Sequence, residues 1–77
     1  MLELYISESC PFSRKVLNFF DDNHIEYIKK DISESENFEK LMSLGGIHQV
    51  PFLYDKDNDV KMYESDDIID YVSELGE

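Results

Sequence analysis

The chain has one cysteine, no tryptophan, two prolines and three glycines. A single thiol cannot close a disulfide within the chain, so a small secreted fold stapled by bridges is excluded. The scarce prolines and glycines form no linker, repeat or low-complexity tract. Positive charge is also short: seven Lys and Arg stand against eighteen Asp and Glu, a formal net charge of −11. That balance argues against nucleic acid and anionic membrane as partners. It leaves two readings, a heavily solvated surface or a preference for basic protein partners. No apolar run is long enough to span a bilayer, and Met1-Leu2-Glu3-Leu4 lacks a basic segment leading into a long apolar one. A reducing cytoplasm is the expected location for the free thiol.

What is present suffices for a core. Apolar residues make up 42% and aromatics 13% of 77 residues, enough for one domain over residues 1–77. Leu2-Glu3-Leu4-Tyr5-Ile6 reads as a strand. Pro11 suits the first turn of a helix, where its missing N–H costs nothing. Phe12, Val16, Phe19 and Phe20 then recur at helical spacing up to Asp21-Asp22-Asn23. Ile25-Glu26-Tyr27-Ile28 predicts a second strand, and Ser33 with Glu36 predicts a capping box opening a second helix. Phe38, Leu41 and Met42 give that helix its apolar face, and Gly45-Gly46 stop it. Pro51 to Tyr54 and Val60 to Tyr63 pair as a hairpin across the turn Asp55 to Asp59. Ser65 is expected to cap a last helix, with Asp66 and Asp67 in its first turn and Ile68, Ile69, Val72 and Leu75 buried. The order β-α-β-α-β-β-α makes an α/β fold, a four-stranded mixed sheet flanked by three helices.

Three segments carry candidate chemistry. Cys10 lies in Ser9-Cys10-Pro11-Phe12-Ser13, at a strand-to-helix junction. A helix N-terminus stabilises a thiolate, whereas a lone cysteine in many chains is simply a small core residue. The polar flanks and the junction favour the functional reading. Arg14 and Lys15 follow one turn on, as added positive potential or as ordinary surface charge. The second segment is Val50-Pro51, where the proline opens a strand; sequence alone favours a trans bond there. The third is Glu64-Ser65-Asp66-Asp67, either a helix cap or a site for an α-amino acid head, with N–H groups for the carboxylate and an acid for the amine. His24 and His48 have no metal-ligand spacing to each other or to Cys10, so no metal site is expected. His48 is the one candidate base for a cysteine–histidine hydrolase.

In this order and spacing, Tyr5 to Ser13, Val50-Pro51 and Ser65-Asp66 resemble the glutaredoxin family of the thioredoxin-like fold, over essentially the whole chain. The pair Glu64-Ser65 and the tail Ile68 to Val72 are also similar to the N-terminal domain of glutathione transferases. The resemblance implies a glutathione site. Cys10 would be the nucleophile, and Val50, before a cis Pro51, would offer its backbone to the cysteinyl part. Ser65 and Asp66 would hold the γ-glutamyl end, with Glu64 helping. Pro11, Phe12, Ser13, Arg14 and Gln49 are further candidates. Two departures stand out. Where the family usually has a lysine three residues before its cysteine, this chain has Ser7, followed by Glu8. Where many members have a basic residue before the Val-Pro turn, it has Ile47, His48 and Gln49. The glycine carboxylate of glutathione thus lacks an evident partner, and weak affinity is expected.

Ser13 stands where a resolving cysteine would sit, so the implied chemistry is monothiol exchange with glutathione as co-substrate. Expected partners are glutathionylated or disulfide substrates, and a monomer is expected. A less favoured implication is a [2Fe–2S] cluster shared between two protomers; Pro11 replaces the glycine usual in that class. A redox-silent interaction domain is the third reading.

Overall fold

The computed structural model describes residues 1–75. Strand β1 (Leu2–Ile6) pairs parallel with β2 (Tyr27–Asp31) and antiparallel with β3 (Phe52–Asp55), and β3 pairs antiparallel with β4 (Val60–Met62). The sheet order is β2-β1-β3-β4. Helices α1 (Pro11–Asp22), α2 (Ser35–Gly45) and α3 (Ser65–Leu75) complete the expected order.

The period of two along the central strands divides the core. Leu4 and Ile6 of β1 and Leu53 of β3 face Val16 and Phe20 of α1 and Ile68 and Val72 of α3. Tyr5 and Phe52 face the other way, against Leu41 of α2. Glu3 shares that second face; it is buried, accepts a 2.7 Å hydrogen bond from the Tyr5 hydroxyl, and lies 3.7 Å from Lys40 Nζ. Each fully buried Leu, Ile, Val or Phe side chain here is worth about 1.5–3 kcal/mol. These two small cores fix the sheet between its helices, with the C-terminal end of β1 feeding directly into the Cys10 loop.

Several local expectations are corrected. The second strand runs over Tyr27–Asp31, two residues later than its sequence pattern suggested. The cause is the end of α1. His24 adopts φ 53°, and its N–H bonds to the Asp21 carbonyl at 3.3 Å while the Ile25 N–H bonds to the Phe20 carbonyl at 2.9 Å. This is a Schellman closure with histidine where glycine is usual, and it takes the Ile25 amide out of the sheet.

The Ser33–Glu36 capping box does not form. The Ser33 N–H instead donates to Asp31 Oδ1 at 2.9 Å, and α2 starts at Ser35 with Glu34 as its N-cap and no side-chain cap bond. The Ser33 N–H and hydroxyl hold the Asp31 carboxyl below its usual range. Ser65 is the first residue of α3, not its cap: the Ile68 N–H bonds to the Glu64 carbonyl at 3.0 Å. Finally, Phe12 and Leu75, both placed on apolar helix faces, are 63% and 47% exposed. Gly46, at φ 78°, does end α2.

Candidate active site

Cys10 is the N-cap of α1 with Pro11 following it. The Cys10 N–H bonds to the Ser7 carbonyl at 3.0 Å, and its own carbonyl accepts the Arg14 N–H at 3.1 Å. A tight turn therefore delivers the thiol to the first turn of the helix, where unpaired N–H groups gather. The side chain is half-buried, and Sγ lies 3.9 Å from the Val50 carbonyl oxygen. Burial pushes the thiol pKa up. Hydrogen bonds from the Ser13 N–H and hydroxyl and from the Phe12 N–H outweigh it, so the pKa is lowered from the ordinary cysteine value.

Ser13 is fully buried. Its hydroxyl oxygen accepts the Ser7 N–H at 3.3 Å, which leaves the hydroxyl hydrogen for Cys10 Sγ. Sequence reasoning saw Ser13 as a missing second cysteine and as a further candidate for the ligand site, not as a hydrogen-bond donor to the thiol. The available signal was its spacing, one helical turn from a thiol at the N-cap.

The Val50-Pro51 bond is cis. Val50, Pro51, Phe12, Gln49, Glu64, Ser65, Asp66 and Asp67 line one groove of about 500 Å³. Residues from three distant segments thus meet beside Cys10. Glu64 adopts φ 68°, and Gln49 Nε2 donates to its Oε1 at 3.3 Å. A positive φ at a non-glycine residue is uncommon and clusters at functional sites. Ser65 is only 8% exposed, and its hydroxyl, without a hydrogen-bond partner among the described residues, is open to solvent. Asp66 and Asp67 are exposed in the first turn of α3, and Lys15 Nζ reaches across from α1 to Asp66 Oδ1 at 2.5 Å.

Not every candidate joins the site. Arg14 is exposed and turns toward the Glu8 carbonyl, 3.5 Å away, outside the groove lining. His48 packs edge-on against Phe38, with ring centroids 4.8 Å apart, and makes no hydrogen bond to Cys10. His48 is thus placed against Phe38 rather than as a base on Cys10. Sequence reasoning overlooked Tyr63, whose hydroxyl accepts the Ile47 N–H at 3.2 Å and donates to the Ile47 carbonyl at 2.9 Å. That clamp fixes the loop leading into Val50.

Among the described residues no three His, Cys, Asp or Glu side chains gather to hold a metal ion, and no helix is long and apolar enough to cross a membrane. The one thiol supplies a single ligand, so an iron–sulfur cluster would need its other ligands from a second protomer and from glutathione. What the site can do is bind a polar ligand in the groove and attack a sulfur with Cys10.

Comparison with known proteins gives the fold and the family. Structures of similar fold include glutaredoxin 2 from Salmonella typhimurium in complex with glutathione, at 29% identity and a TM-score of 0.81, covering 99% of this chain and 34% of that one. Human glutathione transferase theta-2 in complex with glutathione is similar at 24% identity and TM-score 0.80, covering 95% of this chain and 30% of that one. The thioredoxin-like protein BC3987 matches at 17% identity and TM-score 0.81, over 97% of this chain and 99% of that one. The chain thus spans about a third of the glutaredoxin 2 and transferase chains, and nearly all of the thioredoxin-like one. No curated protein sequence matches. The fold is thioredoxin-like, and residues 4–77 match the family described as glutathione S-transferase, N-terminal domain. This chain belongs to the glutathione S-transferase N-terminal domain family.

Proposed function

We propose that this protein is a glutathione-dependent thiol–disulfide oxidoreductase that works through Cys10 alone. The observation that carries the reading is the lowered Cys10 thiol beside a groove lined by Val50, Ser65 and Asp66. The glutathione complexes of two structural relatives support the choice of ligand.

The Cys10 thiolate attacks the glutathione sulfur of a mixed disulfide, R–S–S–G. The new bond is Cys10–S–S–G; the bond to R breaks, and R leaves as a thiolate that takes up a proton. A second glutathione thiolate attacks the glutathione sulfur of that adduct, giving glutathione disulfide and returning Cys10 as thiolate. The balance is R–S–S–G plus one free glutathione giving R–SH plus glutathione disulfide, and no second protein cysteine is needed. Ser65 and the first-turn N–H groups of α3 hold the ligand's α-carboxylate, Asp66 and Glu64 hold its amine, and the Val50 backbone pairs with its cysteinyl part. Phe12 and Pro51 wall the groove, and Ser13 stabilises the Cys10 thiolate both as attacking group and as leaving group. A monomer in a reducing cytoplasm fits this chemistry.

The test is turnover of a small glutathione mixed disulfide, coupled to glutathione reductase and NADPH, for the parent and for Cys10→Ser. The parent is expected to turn over and the variant to fall to the uncatalysed background. An inactive parent, or an active Cys10→Ser, would refute the mechanism.

A further inference from the structure

The groove has one place for an anion, and glutathione brings two carboxylates. That place is the start of α3, where Ser65 is more than nine-tenths buried as a residue, lines the groove, and keeps its hydroxyl open to solvent with no partner among the described residues. The rest of the lining is apolar, amide or acidic: Phe12, Val50 and Pro51, then Gln49, then Glu64, Asp66 and Asp67. Among the described residues no Lys, Arg or His lines it. The Gln49 amide is turned to Glu64 at 3.3 Å. Of the nearby cations, Lys15 is paired with Asp66 at 2.5 Å and Arg14 reaches the Glu8 carbonyl at 3.5 Å. His48 lies against Phe38. A second carboxylate held within this lining meets neutral or like-charged groups, on a chain of net charge −11.

We infer that the thiol co-substrate of this groove keeps the α-amino acid head but has an uncharged far end, as in glutathione with its glycine carboxylate converted to an amide. The inference rests on the function proposed above and narrows its substrate class. In a groove that supplies a cation, capping that carboxylate loses a charge-assisted hydrogen bond and weakens binding. In this groove it removes a repulsion.

The experiment titrates the Cys10→Ser chain, which cannot exchange, with S-methylglutathione and with its glycine carboxamide. The amide is expected to bind about threefold tighter at low salt, with the ratio closing toward unity as salt screens the repulsion. Gln49→Lys is expected to tighten the acid form about tenfold and leave the amide unchanged. Equal affinities, a tighter acid form, or a Gln49→Lys effect shared by both ligands would overturn the inference and leave the glutathione reading standing. Failure of both ligands to bind would overturn the inference and the glutathione reading together.

Discussion

Ser13 serves two neighbours with one hydroxyl. It accepts from the Ser7 N–H and donates to Cys10, so it ties the end of the β1 loop to the reactive sulfur. Ser13→Ala is expected to raise the Cys10 pKa. Because the parent pKa is lowered, its thiolate persists below the ordinary thiol range, and its alkylation rate falls only as pH drops through that lowered value. In Ser13→Ala the same fall should begin at higher pH, and iodoacetamide kinetics across pH will show it; an unmoved profile would remove Ser13 from the site's chemistry. Asp55 offers a second residue-scale test. Burial pushes its carboxyl pKa up, but Asn58, Tyr71 and two backbone N–H groups outweigh that and lower it. A depressed carboxylate stabilises the fold above its unfolded pKa, and that contribution is lost as pH falls through the folded value. Tyr71 donates to Asp55 at 2.5 Å and Asn58 at 2.8 Å. Tyr71→Phe should cost about 1.5 kcal/mol near neutral pH and less in acid, measured by urea unfolding at both pH values.

Among the elements, α2 and the loop after it decide the shape of the groove from a distance. Gly45 lies in the last turn of α2, and a methyl there would fall 2.8 Å from Tyr63 Cζ and 3.1 Å from Phe52 Cε1. Phe52 and Tyr63 pack with ring centroids 4.7 Å apart, so neither ring can yield alone. Gly45→Ala is therefore expected to destabilise the protein by about 1–3 kcal/mol and to displace the Tyr63 clamp on Ile47. Thermal unfolding measures the first effect, and weaker ligand binding in the groove the second. Tyr63→Phe should weaken binding too, with little loss of stability, because only the Ile47 bonds are removed. At the other end of the site, α1 and α3 meet through Lys15 and Asp66, an exposed pair worth at most about 1 kcal/mol. The hydrophobic contacts of Val16, Phe20, Ile68 and Val72 hold those helices together instead.

For the molecule as a whole, charge is the dominant fact. Eighteen acids against seven basic residues on a chain this small repel one another. Raising ionic strength from about 0.01 M to about 0.15 M should raise the thermal midpoint by a few degrees, since the Debye length contracts to roughly 8 Å. A midpoint that falls with salt would mean that ion pairs, five of them among the described residues, set the balance rather than the net repulsion.

Element order, the strand at Leu2–Ile6, and helix limits at Pro11 and Gly46 were legible in the residues, because they follow from local sterics and patterning. So was the set of groove residues, though through resemblance more than spacing. Other features were decided by tertiary structure. The strand beginning at Tyr27 depends on the Ile25 amide being spent on Phe20. The capping box failed because Asp31, at the end of β2, competed for Ser33. Phe12 fits a helical apolar stripe, yet the fold leaves it open at the groove mouth. The donor role of Ser13 and the Tyr63 clamp on Ile47 appear only when distant segments meet. The sequence by itself determined which local structures could form and where a reactive thiol could sit. The tertiary structure decided what surrounds that thiol, because side-chain hydrogen bonds and charge pairs are set by three-dimensional proximity, which no local pattern encodes.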